Sequence, residues 1–378
     1  MNDLRNHELL PDYRFQHVRY DERAVSGRDG SPVEGLRTIW IALDNERQLN
    51  SYTTDAVKEV ILAFRKASAD RRAVAVVFTA VGEKAFCTGG NTEEYATYYS
   101  GRPAEYLQYM RLFNDMVTAI LHCDKPVICR VNGLRIAGGQ EIGMACDFTV
   151  AGDHARFGQA GPTHGSAPDG GSTDFLDLYT GYAQAAESLA LCEQWSAYKA
   201  LRLGLVNEVT PVYRTADGEF VPNPLVVTDR YAEAGRIVFG EMKTGEARQE
   251  GEALLARCTV DLAGLDDAVD RLATRLLYTF PDCVRKTLES LRKKKLAHWN
   301  ANSETNRSWL ALNMATEAAA GFPAFHYGER GEREIDFVLL RRRLAEGHPF
   351  DARLVREVLP SAARAKLPAD AGLAGAAR

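Results

Sequence analysis

Four short, unbroken apolar runs constrain this chain more than any other feature: "LRTIWIAL" (36–43), "AVAVVFTA" (73–80), "PVICRV" (126–131) and "DFTVA" (147–151). They lack the in-out alternation of a half-exposed strand, so each needs cover on both faces. Between them, "TDAVKEVILAFRKASA" (54–69) and "EYLQYMRLFNDMVTAILHC" (105–123) repeat apolar residues at helical spacing. Doubly buried strands separated by helices imply an α/β fold with crossover connections. A further strand is expected at "LGLVNEV" (203–209), after the helical stretch "ESLALCEQWSAYKALRL" (187–203).

The character of the chain changes after Pro211. Residues 1–211 read as the α/β core and 212–260 as a turn-rich extension. Residues 261–360 read as a helical part, with helices expected over 262–278, 281–297, 303–320 and 331–345. The Ala-rich stretch 361–378 has little apolar bulk and is expected to be frayed. The basic run "RKKKL" (292–296) reads as a solvated helix face in preference to a phosphate site.

Several function classes lack support. A net charge of −5 over 378 residues gives no electrostatic case for a nucleic-acid partner. The opening "MNDLRNHELLPDYRF" has no apolar leader, and no run approaches a membrane span, so a cytoplasmic location is expected. Seven cysteines without a CxxC pair read as reduced core thiols. The eight histidines form no ligand spacing, so no metal is expected. There is no GxSxG elbow, P-loop or GxGxxG.

Three glycine clusters remain: "AFCTGGN" (85–91), "GLRIAGGQEIGMACD" (133–147) and "AGPTHGSAPDGG" (160–171). A glycine pair opening a helix lets backbone N–H groups approach a ligand and face negative charge. Two such donors from separate loops suit one developing oxyanion. Spacing alone leaves an ordinary turn as the other reading. The third cluster surrounds one imidazole, His164, and one carboxylate, Asp169.

Together with "RQLNSYT" (47–53), "VICRVNGLRIAGGQEIGMACDFTVAGDHARFGQAGP" (127–162) and "ALRLGLVNEVTP" (200–211), the first cluster resembles the enoyl-CoA hydratase (crotonase) superfamily. The resemblance spans about residues 35–211, in order. It implies a spiral of ββα units with a helical C-terminal trimerisation part, homotrimers or homohexamers, and an acyl-CoA thioester substrate whose enolate is held by two amides. Carried over residue by residue, those amides are Gly90 and Gly138, and Glu141 falls on a catalytic glutamate position. Arg47 and Leu49 fall on the first loop that faces coenzyme A. A second glutamate of the hydratases is replaced here by Gly161, as in naphthoyl-CoA synthase-type members, some of which fill the gap with bicarbonate.

Glu141 together with the segment after Pro211 resembles instead the branch of the family that opens a cyclic enone thioester with two waters. Its implied acid/base groups are Glu141, Asp169 and His164, with Ser166 and Asn91 positioning water or the ring ketone. Gly161 is expected to leave room for the ring, a water or an anion. Coenzyme A arrives as part of the substrate, and no separate cofactor is expected. Tyr98, Tyr99 and Tyr327 read as packing aromatics. The other readings are a synthase or hydratase-like lyase and, from a different class, a non-catalytic acyl-CoA- or RNA-binding relative.

Overall fold

The computed structural model describes residues 4–367. A six-stranded sheet runs in the order β1 (Val18–Ser26), β2 (Pro32–Leu43), β3 (Ala73–Ala80), β5 (Val127–Val131), β7 (Phe148–Gly152) and β10 (Glu208–Thr210). Only β1 and β2 pair antiparallel in it. A second sheet contains β4 (Ala85–Cys87), β6 (Leu134–Ile136), β8 (Arg156–Gly158) and the antiparallel β9 (Trp195–Ser196). The chain therefore spirals: β3–β4, β5–β6 and β7–β8 each give one strand to either sheet, and a helix follows each pair.

The continuous apolar runs are explained by cover on both faces. Ile39, Ile41, Val76, Phe78 and Cys129 face the helices Thr54–Ala69 and Pro103–Leu121. Trp40, Ala75, Val77, Ile128 and Val150 face the other way, onto Leu265, Ala268 and Val269 of helix Ala263–Leu277. The sequence boundary at residue 211 is thus not a packing boundary, because a C-terminal helix completes the sheet's second face. Helix Thr54–Ala69 starts where Thr53 Oγ1 accepts the Ala56 N–H at 3.2 Å and buries Val57, Val60, Ala63, Phe64 and Ala67 at helical spacing.

Four expectations are corrected. The stretch 187–203 is not one helix: Tyr182–Leu191 ends with Cys192 in the left-handed region, and β9 precedes helix Ala197–Arg202. The strand expected over 203–209 occupies only Glu208–Thr210, after a turn at Gly204. The helices expected over 281–297 and 303–320 are joined as Pro281–Asn313, with a second helix Glu317–Tyr327 following. At the supposed break, Trp299 is buried and donates to Thr118 Oγ1 at 3.0 Å, while Asn302 donates to Asp174 at 2.6 Å. Finally, Ser361–Lys366 is helical, and Ala363 packs with Leu354, Val355 and Val358. The rest of the stretch expected to fray, residues 368–378, lies outside the described residues.

The basic run is corrected too. Arg292 is buried, pairs with Asp147 and donates to the carbonyls of Leu121, Cys123 and Lys125. Lys295 donates to the carbonyls of Met144 and Cys146, at 2.7 and 2.8 Å. These are the last carbonyls of helix Gly138–Ala145, where a cation is favoured by the helix dipole. Of the seven unpaired cysteines, Cys87, Cys123, Cys129 and Cys146 are buried, whereas Cys283 is exposed. No helix among the described residues is long and apolar enough to cross a membrane.

Candidate active site

The two glycine turns meet. The Tyr52 N–H bonds to Gly89 O and the Asn91 N–H to Tyr52 O, both at 3.0 Å, so the backbone of the first loop clasps Gly90. A Cβ on Gly89 would lie 3.0 Å from Gly138 N, which puts the two turns in backbone contact. Ala137, immediately before Gly138, has φ +53°, a strained conformation for a residue with a side chain. Gly138 then opens helix Gly138–Ala145. The Gly90 and Gly138 amides bond to no turn carbonyl among the described residues. Both line one cavity of about 660 Å³, ample for an acyl group.

Glu141, one turn into that helix, reaches the same cavity from a buried position. Its Oε1 accepts the Gly170 N–H at 3.0 Å. Burial pushes its carboxyl up to about 8. The Gly170 N–H opposes that rise, and the nearby Asp169 carboxylate adds to it. A side chain at Gly170 would displace Glu141 or Phe113, since a Cβ there would fall 2.2 Å from Glu141 Oε2 and 2.5 Å from the Phe113 ring.

His164 approaches the cavity from the third cluster. Its Nδ1 lies 2.6 Å from Ala160 O, an acceptor, so this nitrogen carries the proton and Nε2 holds the lone pair. Its ring packs edge-on against Phe325 at 4.4 Å. Burial lowers its pKa and keeps the imidazole neutral. The loop is fastened from the C-terminal helices: Asn313 Nδ2 donates to Gly165 O, and Gly321 lies so close that a Cβ on it would fall 2.0 Å from His164 O.

The other sequence candidates separate into distinct places. Arg47, Leu49, Gly161, Ser166 and Asn91 all line the cavity. Arg47 and Leu49 are exposed on its first loop. The Asn91 amide is already committed: its Nδ2 donates to Gln48 Oε1 at 2.7 Å and its Oδ1 caps Glu94 N at 3.0 Å. Asp169 is not among the lining residues; its carboxylate accepts from Thr173 Oγ1 at 3.0 Å, behind the wall formed by Pro168 and Gly170.

The space expected at Gly161 does not open along the side-chain direction, although the residue borders the cavity. A Cβ would meet Ser166 O at 2.8 Å, because the His164 and Ser166 N–H groups both bond to Gly161 O and close a tight turn. The direction a side chain would take is filled by a carbonyl oxygen. Sequence reasoning also passed over the aromatic wall. Tyr52, Tyr95, Tyr106, Phe113 and Phe322 line the cavity with His326 and Arg333. Tyrosine spacing on helix Pro103–Leu121 was the available signal, but it has the same period as core packing.

Residues 37–260 match the family model described as enoyl-CoA hydratase/isomerase, and the chain belongs to that family. Among curated relatives, it is 57% identical over 361 residues to the 6-oxocyclohex-1-ene-1-carbonyl-CoA hydrolase of Thauera aromatica, covering 95% of this chain and 96% of the relative. Similar enzymes of the same name from Geobacter metallireducens and Syntrophus aciditrophicus are 58% and 47% identical over 91% and 90% of this chain, and over the same shares of their own lengths. Among solved structures, an enoyl-CoA hydratase from Bacillus halodurans has the same fold at 17% identity, with a TM-score of 0.59 over 82% of this chain and 100% of that one. Another, from Mycobacterium avium subsp. paratuberculosis, gives 0.57 at 20% identity over 81% and 94%.

Proposed function

We propose that this enzyme opens the ring of 6-oxocyclohex-1-ene-1-carbonyl-CoA, consuming two waters to give 3-hydroxypimeloyl-CoA. The reading is carried by one juxtaposition: two amides that have no carbonyl partner among the described residues, a buried carboxyl and a neutral imidazole face a single cavity, in a chain 57% identical to a hydrolase of that name.

In the first step a water gives its proton to His164 Nε2 and its oxygen bonds to the β-carbon of the ring alkene. Charge moves to the thioester oxygen, where the Gly90 and Gly138 N–H groups receive it, each donor contributing roughly 3 kcal/mol to the transition state. Glu141, held protonated at neutral pH, delivers a proton to the α-carbon. In the second step a second water gives a proton to the Glu141 carboxylate left by the first, and its oxygen bonds to the ring ketone carbon. The tetrahedral alkoxide collapses to a carboxylic acid as the bond from that carbon to the α-carbon breaks. Its electron pair returns to the thioester as an enolate, which takes the Glu141 proton at the α-carbon; the new carboxylic acid ionises to solvent, and the His164 proton restores Glu141. Each half thus draws on the same pair of amides.

Asp169 enters this scheme through Glu141, whose proton its charge helps to retain. Ser166 and the Gly161 turn hold His164 in place. Arg47 and Leu49 flank the entrance as the reading requires for the coenzyme A portion. No cofactor beyond the thioester is called on. A cytoplasmic homotrimer or homohexamer is the proposed setting. Unpaired cysteines support a reducing compartment, and the exposed Phe280, Trp309 and Leu312 of the long-helix region support association. Incubation with the cyclic enone thioester and mass measurement of the product tests the function: ring opening adds two waters, whereas a gain of one water or none defeats the reading.

A further inference from the structure

Two phenols lie over the two glycines assigned to the oxyanion. A Cβ on Gly90 would fall 1.7 Å from Tyr95 Oη, and a Cβ on Gly138 would fall 1.8 Å from Tyr52 Oη. The two hydroxyls differ in occupation. Tyr95 Oη is paired with Tyr109 Oη at 2.7 Å. Tyr52 Oη makes no hydrogen bond among those of the described residues, although the side chain is only 3% exposed and lines the cavity. A buried tyrosine hydroxyl ordinarily finds a partner. This one faces the space that the substrate would fill.

We propose that the Tyr52 hydroxyl is a third donor to the thioester oxygen, beside the Gly90 and Gly138 amides. The inference deepens the ring-opening reading and rests on it for the identity of the reaction. Its geometry is fixed from three sides. Tyr52 backbone atoms bond on either side of Gly90, the hydroxyl abuts Gly138, and the ring packs against Phe113 at 5.7 Å between centroids. One residue therefore ties together the loops that carry both amides. Burial keeps the phenol in its neutral O–H form, the form that donates. A hydroxyl bond of this kind strengthens as charge builds on the oxygen, so it acts on turnover more than on binding.

The test compares the wild-type enzyme with Tyr52→Phe, which deletes one oxygen and keeps the ring on Phe113. Two readouts are needed. The first is turnover of the cyclic enone thioester, expected to fall about 100-fold in kcat with KM within a few-fold. The second is the carbonyl stretch of bound cyclohexanecarbonyl-CoA labelled with 13C at the thioester carbon, a saturated probe with no alkene or ketone to react. Its band shifts to lower frequency in the wild type, and Tyr52→Phe loses part of that shift. An unchanged band in Tyr52→Phe overturns the proposal, whatever happens to turnover. If the wild type fails to open the ring but the band behaves as stated, the ring-opening reading falls and the third donor stands. Should Tyr52→Phe not fold, 3-fluorotyrosine at position 52 decides: a more acidic hydroxyl deepens the shift, and no deepening overturns the donor role.

Discussion

The two halves of the site are anchored in opposite ways. The proposed oxyanion end, residues 88–91 and 137–138, is built within the spiral from neighbouring turns that touch backbone to backbone. The imidazole end, residues 160–171, takes its shape from Asn313 and Gly321, about 150 positions further along. In the proposed scheme, stabilising enolate charge is thus a property of the core, and delivering water is a property of how the C-terminal helices dock. Damage to one end should leave the other measurable.

The largest effect should come from Glu141→Gln, which keeps the shape and removes the transferable proton. Turnover is expected to drop by about 100- to 10,000-fold, checked by steady-state assay, while the 13C carbonyl shift of the bound saturated thioester persists. Gly321→Ala comes next. Its methyl would displace His164 through the loop backbone, and a misplacement near 1 Å costs about 100-fold in rate. Here too the carbonyl shift should survive; its loss would mean that the ends are not independent.

Asn313→Ala removes one bond to Gly165 O, a loss of about 1 kcal/mol in holding the loop. A roughly fivefold slower ring opening is expected by the same assay. The smallest effect concerns pH. With Glu141 as the acid, turnover should fall as pH rises through about 8. Asp169→Asn removes a negative charge that raises Glu141, so this alkaline limb should move to lower pH. A shift to higher pH, or none, would show that Asp169 does not act through Glu141.

How much of this was legible in the chain depended on distance along it. The doubly buried strands and helix Thr54–Ala69 could be read because period and capping are local signals. The strand β1, "VRYDERAVS", escaped because only Val18 and Val25 are buried in it; its register against β2 makes it a strand. A break was expected between residues 297 and 303, yet Trp299 and Asn302 find partners across the core, and the helix runs through. The site followed the same rule. Gly90, Gly138 and Glu141 were named through the family pattern, since their local spacing also fits an ordinary turn. The crowding at Gly161, the committed amide of Asn91 and the phenol of Tyr52 depend on atoms that no local spacing reveals.

The seam between Gly165 and Gly321 has a consequence for how the enzyme can change over generations. A side chain on either glycine would collide with main-chain atoms, which have no rotamer to yield. Drift toward new ring sizes or substituents is therefore steered away from the imidazole loop and onto the wall of Tyr106, Phe113 and Phe322, where one aromatic can be exchanged for another without moving the polypeptide.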